Sequence, residues 1–260
     1  MATTLPTLPQ VMSMARGRRM NVTRMNAKVA AMQPDPILLA WSGGKDCLMA
    51  LDRLRREPRW RPAGLLATVN RTYQRVAMHG TRRDVLRAQA EAIGLPLLEV
   101  ELDWPGSNEA YEEAHAKALS EARRRWPGIR HCAFGDLFLA DVRDYRVRQL
   151  GREGWRAVFP LWGEDTAALS RHFVGAGHRA MLCCVDTQQL DAAFCGRPFD
   201  NALLDALPAG VDPCGERGEF HTLCHDGPLF RHPLALRRGE STLRDGRFQY
   251  TDFLLANASA

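Results

Sequence analysis

Lysine is almost missing from this chain: it occurs only at 28, 45 and 117, against 32 arginines. Where nearly every cation is arginine, a lysine kept between Gly44 and Asp46 points to a task for a compact ammonium rather than a planar guanidinium. Long apolar runs are missing too. None approaches the ~20 residues that span a bilayer, and no positive segment precedes an apolar signal-peptide core. That excludes membrane-spanning and secreted readings and makes the cytoplasm the expected compartment. The seven cysteines, at 47, 132, 183, 184, 195, 214 and 224, form no regular framework and no Cys-x-x-Cys pair. A chain of 260 residues with 45% hydrophobic content buries a core without cross-links, so reduced thiols are expected.

Acidic residues are absent from positions 1–34, which hold Arg16, Arg18, Arg19, Arg24 and Lys28. The net charge of +5 therefore sits in that segment, and the 30 basic residues left offset the 30 acidic ones. A nucleic-acid footprint needs basic residues clustered on the folded part, so nucleic acid is disfavoured as a partner. Residues 1–34 read as a disordered basic tail, with Met20, Met25 and Met32 as alternative initiators.

From residue 35 onward the chain alternates between short apolar runs (37–41, 65–69, 97–102, 131–134, 157–161 and 180–185) and helical patterns. Continuously apolar runs suit parallel strands covered on both faces. Thr81 is placed to cap a helix that Gly94 and Pro96 end; further helices are expected over 107–126, 139–150 and 165–174. The β-α alternation implies an α/β fold with a Rossmann-like doubly wound parallel sheet over 35–186. Beyond Asp186 the chain is dense in Gly, Pro and Asp and ends in a hairpin pattern turning at Asp245-Gly246. A smaller C-terminal α+β unit over 187–260 is expected there.

Ser42-Gly43-Gly44-Lys45-Asp46 joins the first strand to the first helix. A glycine-rich turn opening a helix presents unpaired N–H groups and the positive end of the helix dipole, which suits phosphate. The spacing matches neither GxxxxGK followed by Ser or Thr nor GxGxxG. It resembles instead the S-G-G-x-D pyrophosphate loop of the N-type ATP pyrophosphatases. "WSGGKD", "MHGTRRDVLRAQAEAIGLPL", "FGDLFLADVRDYR", "VFPLWGEDTAAL" and "GVDPCGERGEFHT" resemble, in order and spacing over about residues 35 to 230, the diphthine-ammonia ligase family and its bacterial relatives.

The resemblance implies an adenine nucleotide alpha hydrolase-like domain and an ATP-dependent amide ligase. A carboxylate is activated as an acyl-adenylate with release of pyrophosphate, and ammonia then displaces AMP. ATP and Mg²⁺ are the implied cofactors. Ser42, Gly43, Gly44, Lys45 and Asp46 would hold the nucleotide, with Asp46 toward the metal; Met78, His79, Gly80, Gly135 and Asp136 would lie beside it. Lys45, Asp46, Glu219, His221 and Thr222 are the implied catalytic set, with Glu219 and His221 for proton transfer or substrate contact. Ammonium and a small-molecule or protein-borne carboxylate are the implied partners, and the oligomeric state, a homodimer included, is open.

Structural roles compete at several positions. Asp136 could cap a helix, and His79 could merely start one. Cys47 stands where the family loop continues with serine; a thiol is the weaker hydrogen-bonding group, and a small buried side chain is its plainer role. Cys214, His221, Cys224 and His225 lack the paired spacing of zinc ribbons and fingers. Two other functions stay in play: a pyrophosphate-loop tRNA sulfur transferase, which the neutral body disfavours, and a non-catalytic ATP-binding module, which the Glu-Phe-His-Thr run disfavours.

Overall fold

A computed structural model describes residues 33–76, 78–103 and 106–256; the tail expected over 1–34 falls almost wholly outside them. Five strands make a parallel sheet in the order β4 (Leu97–Leu102), β2 (Trp60–Asn70), β1 (Asp35–Ala40), β5 (His131–Ala133), β6 (Arg156–Val158). The two-residue β3 (Arg75–Val76) pairs antiparallel with the far end of β2. Beginning at β1, the chain winds outward through β2 to β4 and returns to β5 on the other side. The carboxyl end of β1 is thus the point where the strand order reverses, and there neighbouring loops part to leave a crevice.

Both faces of this sheet are covered, as an all-parallel sheet requires. Successive β1 residues alternate between two cores. Ile37 and Leu39 join α1 (Lys45–Arg56) and α2 (Arg83–Ile93), whereas Leu38 joins α3 (Asn108–Arg125) and α4 (Ala140–Arg152). Ser107 caps α3 by accepting from the Ala110 amide at 3.2 Å, and α2 ends at Gly94 with φ +76. Thr81 does not cap α2. Arg82 holds that position without a side-chain bond, and the Thr81 hydroxyl is buried without a partner.

A second, antiparallel sheet runs β8 (Phe220–Asp226), β7 (Arg179–Asp186), β10 (Phe248–Leu255), β9 (Leu236–Arg244). The run at 180–185, expected among the parallel strands, is β7 and belongs here. Its pairing with β8 and β10 is antiparallel, and β6 is the last strand of the first sheet. Helices α1 and α2 pack against β8 and β10, so the two sheets share one apolar core, and the described residues from 35 onward cluster as a single compact unit. The short α5 (Thr166–Gly175) and α6 (Asn201–Ala206) complete it. No helix among the described residues is long and apolar enough to cross a membrane.

Candidate active site at the reversal of the sheet

The loop after β1 is braced from behind. Gly43 has φ +85, and a Cβ there would lie 2.6 Å from the Gln89 side-chain oxygen. Gln89, fully buried on α2, donates to the Gly43 carbonyl at 3.0 Å and to the Cys224 carbonyl at 2.6 Å, and accepts from the Trp41 indole at 3.1 Å. The Cys224 amide donates to the same Gly43 carbonyl at 2.8 Å. One buried amide side chain thereby ties together the loop, the second helix and the second sheet.

The front of the loop meets β8. The Lys45 amide donates to Thr222 Oγ1 at 3.0 Å, and a Cβ on Gly44 would come within 3.1 Å of both His79 Cε1 and the Thr222 carbonyl. His79 and His221 stack with ring centroids 4.5 Å apart, 33° off parallel. Burial drives His79 down to about 4, with the Lys45 charge adding to the effect and a bond to the Thr222 carbonyl opposing it. His221 lies well below its ordinary value through burial, then His79 and Lys45. Both rings are neutral near pH 7.

Lys45 is 2% exposed. Its ammonium donates to the two Asp46 oxygens, at 2.8 and 2.9 Å, and to the Cys214 carbonyl, and it lies 5.7 Å from the ring centroids of Phe199 and Phe220. Burial works against the charge, and the Asp46 carboxylate more than restores it, so its pKa is raised. All three of its protons are engaged inside the protein. Cys47 is a small buried thiol. It donates to the Gly44 carbonyl at 3.0 Å, and burial pushes it up to about 11, which leaves no thiolate near neutrality.

These residues surround a cavity of about 450 Å³ that runs from Ser42, Lys45 and Asp46 inward between α3 and α4. Met78, His79, Gly135, Asp136, His221 and Thr222 also line it. Met78 has φ +61, a conformation that non-glycine residues hold at a cost. Gly135 approaches the chain rather than open space: a Cβ would sit 2.8 Å from the Asp46 carbonyl carbon. Asp136 caps no helix, since α4 begins at Ala140; it pairs with Arg146 at 2.7 Å. Gly43, Gly44 and Gly80 shape the wall from behind without lining it.

Glu219 requires a correction. It is 1% exposed, and its two carboxylate oxygens accept from the amides of Asp212 at 3.0 Å and Arg217 at 2.9 Å. It is a brace for the 212–219 turn and does not line the cavity. Glu216 lines it instead. One of its oxygens accepts from the Leu137 amide at 2.7 Å, and no cation pairs with it among the described residues. Burial pushes it up to about 7; the Leu137 and Phe138 amides pull the other way, and the Asp46 and Asp136 carboxylates add to the rise.

At the inner end stand Tyr111, His115, Arg146 and Gln149, none of them expected beforehand. Tyr111 and His115, four apart on α3, have ring centroids at 4.3 Å. His115 meets Thr68 Oγ1 at 3.2 Å, and burial, with Arg146, lowers it to about 4. The Gln149 side-chain nitrogen is buried without a partner. Arg146 closes the "FGDLFLADVRDYR" segment, a signal available in the sequence; Tyr111 and His115 carried only their one-turn spacing.

Residues 36–153 match the family model described as the diphthamide synthase N-terminal domain, and residues 165–250 match the diphthamide synthase C-terminal domain. Over 166 residues, 59% of its length, the chain is 25% identical to the diphthine--ammonia ligase of Schizosaccharomyces pombe. That alignment takes in 27% of the relative, so the chain spans about a quarter of the length of the curated protein it matches. The loop and the His79 segment fall inside the first matched region and the His221 segment inside the second.

Proposed function

This chain belongs to the diphthamide synthase family, and from that premise we propose that it is an ATP-dependent amide ligase. A carboxylate oxygen attacks the α-phosphorus of ATP, pyrophosphate leaves, and ammonia displaces AMP from the acyl-adenylate, releasing one proton. The observation that carries this reading is the hydrogen bond that the Lys45 backbone N–H donates to Thr222 Oγ1, which joins the loop of the N-terminal region to the Glu-Phe-His-Thr run of the C-terminal one across a single cavity.

The residues present suit the nucleotide. Gly43 and Gly44 keep the loop close to its supports, the start of α1 directs its dipole outward, and Lys45 holds a full positive charge beside it. Stabilising charge on departing pyrophosphate is the task such an arrangement performs. Lys45 acts through space and by orienting Asp46, whose carboxylate is the hard oxygen donor nearest the loop. Mg²⁺ carried on the nucleotide phosphates would supply further charge neutralisation there, with Asp46 as its protein contact.

Glu216 takes the proton role expected of Glu219. A carboxyl group with a value near 7, facing the cavity and free of a counter-cation, is suited to accept the proton that ammonium must lose before it attacks. His79 and His221, neutral and stacked, shape the acceptor side and keep positive charge away from incoming ammonium.

Two observations weigh against the rival readings. Burial pushes the thiols of Cys47 and Cys214 to about 11 and 12, a poor setting for sulfur transfer. A pure nucleotide-binding module has no evident use for an unpaired Glu216. The test is incubation with ATP, Mg²⁺, ammonium and a panel of carboxylates. AMP and pyrophosphate formed only with ammonium and a matching acceptor are expected; ADP and phosphate would overturn the reading.

A further inference from the structure

A second cleft of about 200 Å³ lies where β9 and β10 meet the 75–82 segment. Three arginines line it, Arg75, Arg82 and Arg244, together with Tyr250, Asp252 and Glu240. Asp252 is already spent. Arg75 donates to its two oxygens at 2.8 and 3.1 Å, and Arg82 adds three more bonds at 2.6 to 3.1 Å. With Glu240 counted as well, three positive charges face two negative ones. Arg244 has no hydrogen-bonded or ionic partner for its guanidinium among the described residues; it lies 5.4 Å from the Tyr250 ring centroid.

We propose that this cleft binds a small oxyanion of the phosphate or carboxylate class, separately from the 450 Å³ cavity. Its volume is too small for a nucleotide. The guanidinium fork matches two oxygens of one anion, and Arg244, held over an aromatic ring, offers that fork to the cleft. The position also gives the anion a lever. Tyr250 donates to the Met78 carbonyl at 3.2 Å, Arg75 donates to the Gly80 carbonyl at 2.7 Å, and a Cβ on Gly80 would lie 2.7 Å from the Tyr250 ring. Tyr250 and Arg75, which line the cleft beside Arg244, thus hold residues 78–80, and Met78 and His79 wall the larger cavity. The cleft and its occupant are independent of the ligase reading.

Residue-resolved NMR of the full chain tests it, with inorganic phosphate titrated in one arm and succinate in the other. Saturable shifts of the Gly80 and Tyr250 amides are expected in at least one arm, and the stronger arm assigns the anion class. Arg244→Ala, on an exposed side chain, should weaken that binding about tenfold, the factor for losing one hydrogen bond to a charged group, and Arg244→Lys should fall between the two. Shifts confined to residues 42–47, no shifts in either arm, or unchanged affinity in Arg244→Ala would overturn the proposal. ATP-induced shifts at 42–47 report separately on the larger cavity.

Discussion

The two ends of the large cavity are built on opposite terms. At the loop end nearly every polar group is satisfied by the protein itself: Lys45 by Asp46 and Cys214, the Lys45 amide by Thr222, and Gly43 by Gln89 and Cys224. At the inner end, between α3 and α4, the Gln149 nitrogen is buried and unpaired. A satisfied end is rigid and holds its shape before ligand arrives, which is what positioning of reacting groups demands. An end with an unmet donor gains most when a ligand supplies the missing acceptor.

The largest effect is expected where the satisfied end is broken. Lys45→Ala leaves the Asp46 carboxylate and the Cys214 carbonyl without their partner. Removing one member of a buried pair costs ~3–5 kcal/mol; Asp46 keeps some contact with water, so about 3 kcal/mol is expected, read from urea denaturation. A loss below ~1 kcal/mol, the scale of an exposed pair, would show that the lysine is free to serve phosphate directly.

Next comes Glu216→Gln, which removes a proton acceptor without emptying space. Amide formation should fall at least ~100-fold, the usual lower range for a lost general base, while ATP affinity holds within about twofold. The sign with pH is set by the same group. A base works only when deprotonated, so at a fixed concentration of free ammonia the wild-type rate should climb as pH rises through about 7 and the residual rate of the variant should not. An unchanged profile would remove Glu216 from the chemistry.

The histidine pair supplies a smaller, stability-based test. His79 is held near 4 and His221 is also depressed, whereas unfolded histidine binds a proton near 6.5. On acidification below ~6.5 the unfolded chain takes up protons that the folded one refuses, so stability falls until the pH passes the folded value. Between pH 6.5 and 4 the His79→Gln variant should lose about 2 kcal/mol less than wild type, after allowing for water at the cavity rim. Parallel curves would place His79 in water rather than against His221.

Much of this plan was legible in the sequence because it rests on periodicity and punctuation. Apolar runs set the strands of the first sheet, Ser107 and Gly94 mark helix ends, and the loop meets the Glu-Phe-His-Thr run at Thr222. What was not legible depends on the path of the chain at single residues. Glu216 and Glu219 have the same chemistry and sit three apart in one turn. Gly215 and Gly218 hold positive φ there, and the turn they form sends one carboxylate to the cavity and the other inward to the amides of Asp212 and Arg217. Gln89 reads as one more polar residue on an amphipathic helix that also carries Arg83, Asp84, Arg87 and Glu91; its role exists only once β8 packs against the loop. β7 looks like a sixth parallel strand because burial on both faces gives the same apolar run in either sheet.

At the inner end the smallest effects are expected, and there their sign is the test. Gln149→Met keeps an unbranched chain of nearly the same length and removes the amide whose nitrogen has no partner. A buried donor left unpaired costs ~1–3 kcal/mol, and taking it away recovers part of that, while methionine fits an apolar wall with little strain. Without ligand the variant should therefore be more stable by about 1 kcal/mol. With ATP the sign should reverse: the nucleotide offers acceptors that Gln149 can meet and methionine cannot, so affinity should drop roughly fivefold to tenfold, the factor for one hydrogen bond of ~1–1.5 kcal/mol. Thermal melts of both proteins with and without ATP read the two effects at once. Opposite signs would establish the inner end as the place where ligand completes the protein. A gain in stability with unchanged ATP affinity would make Gln149 a packing fault and leave ATP to the loop end alone.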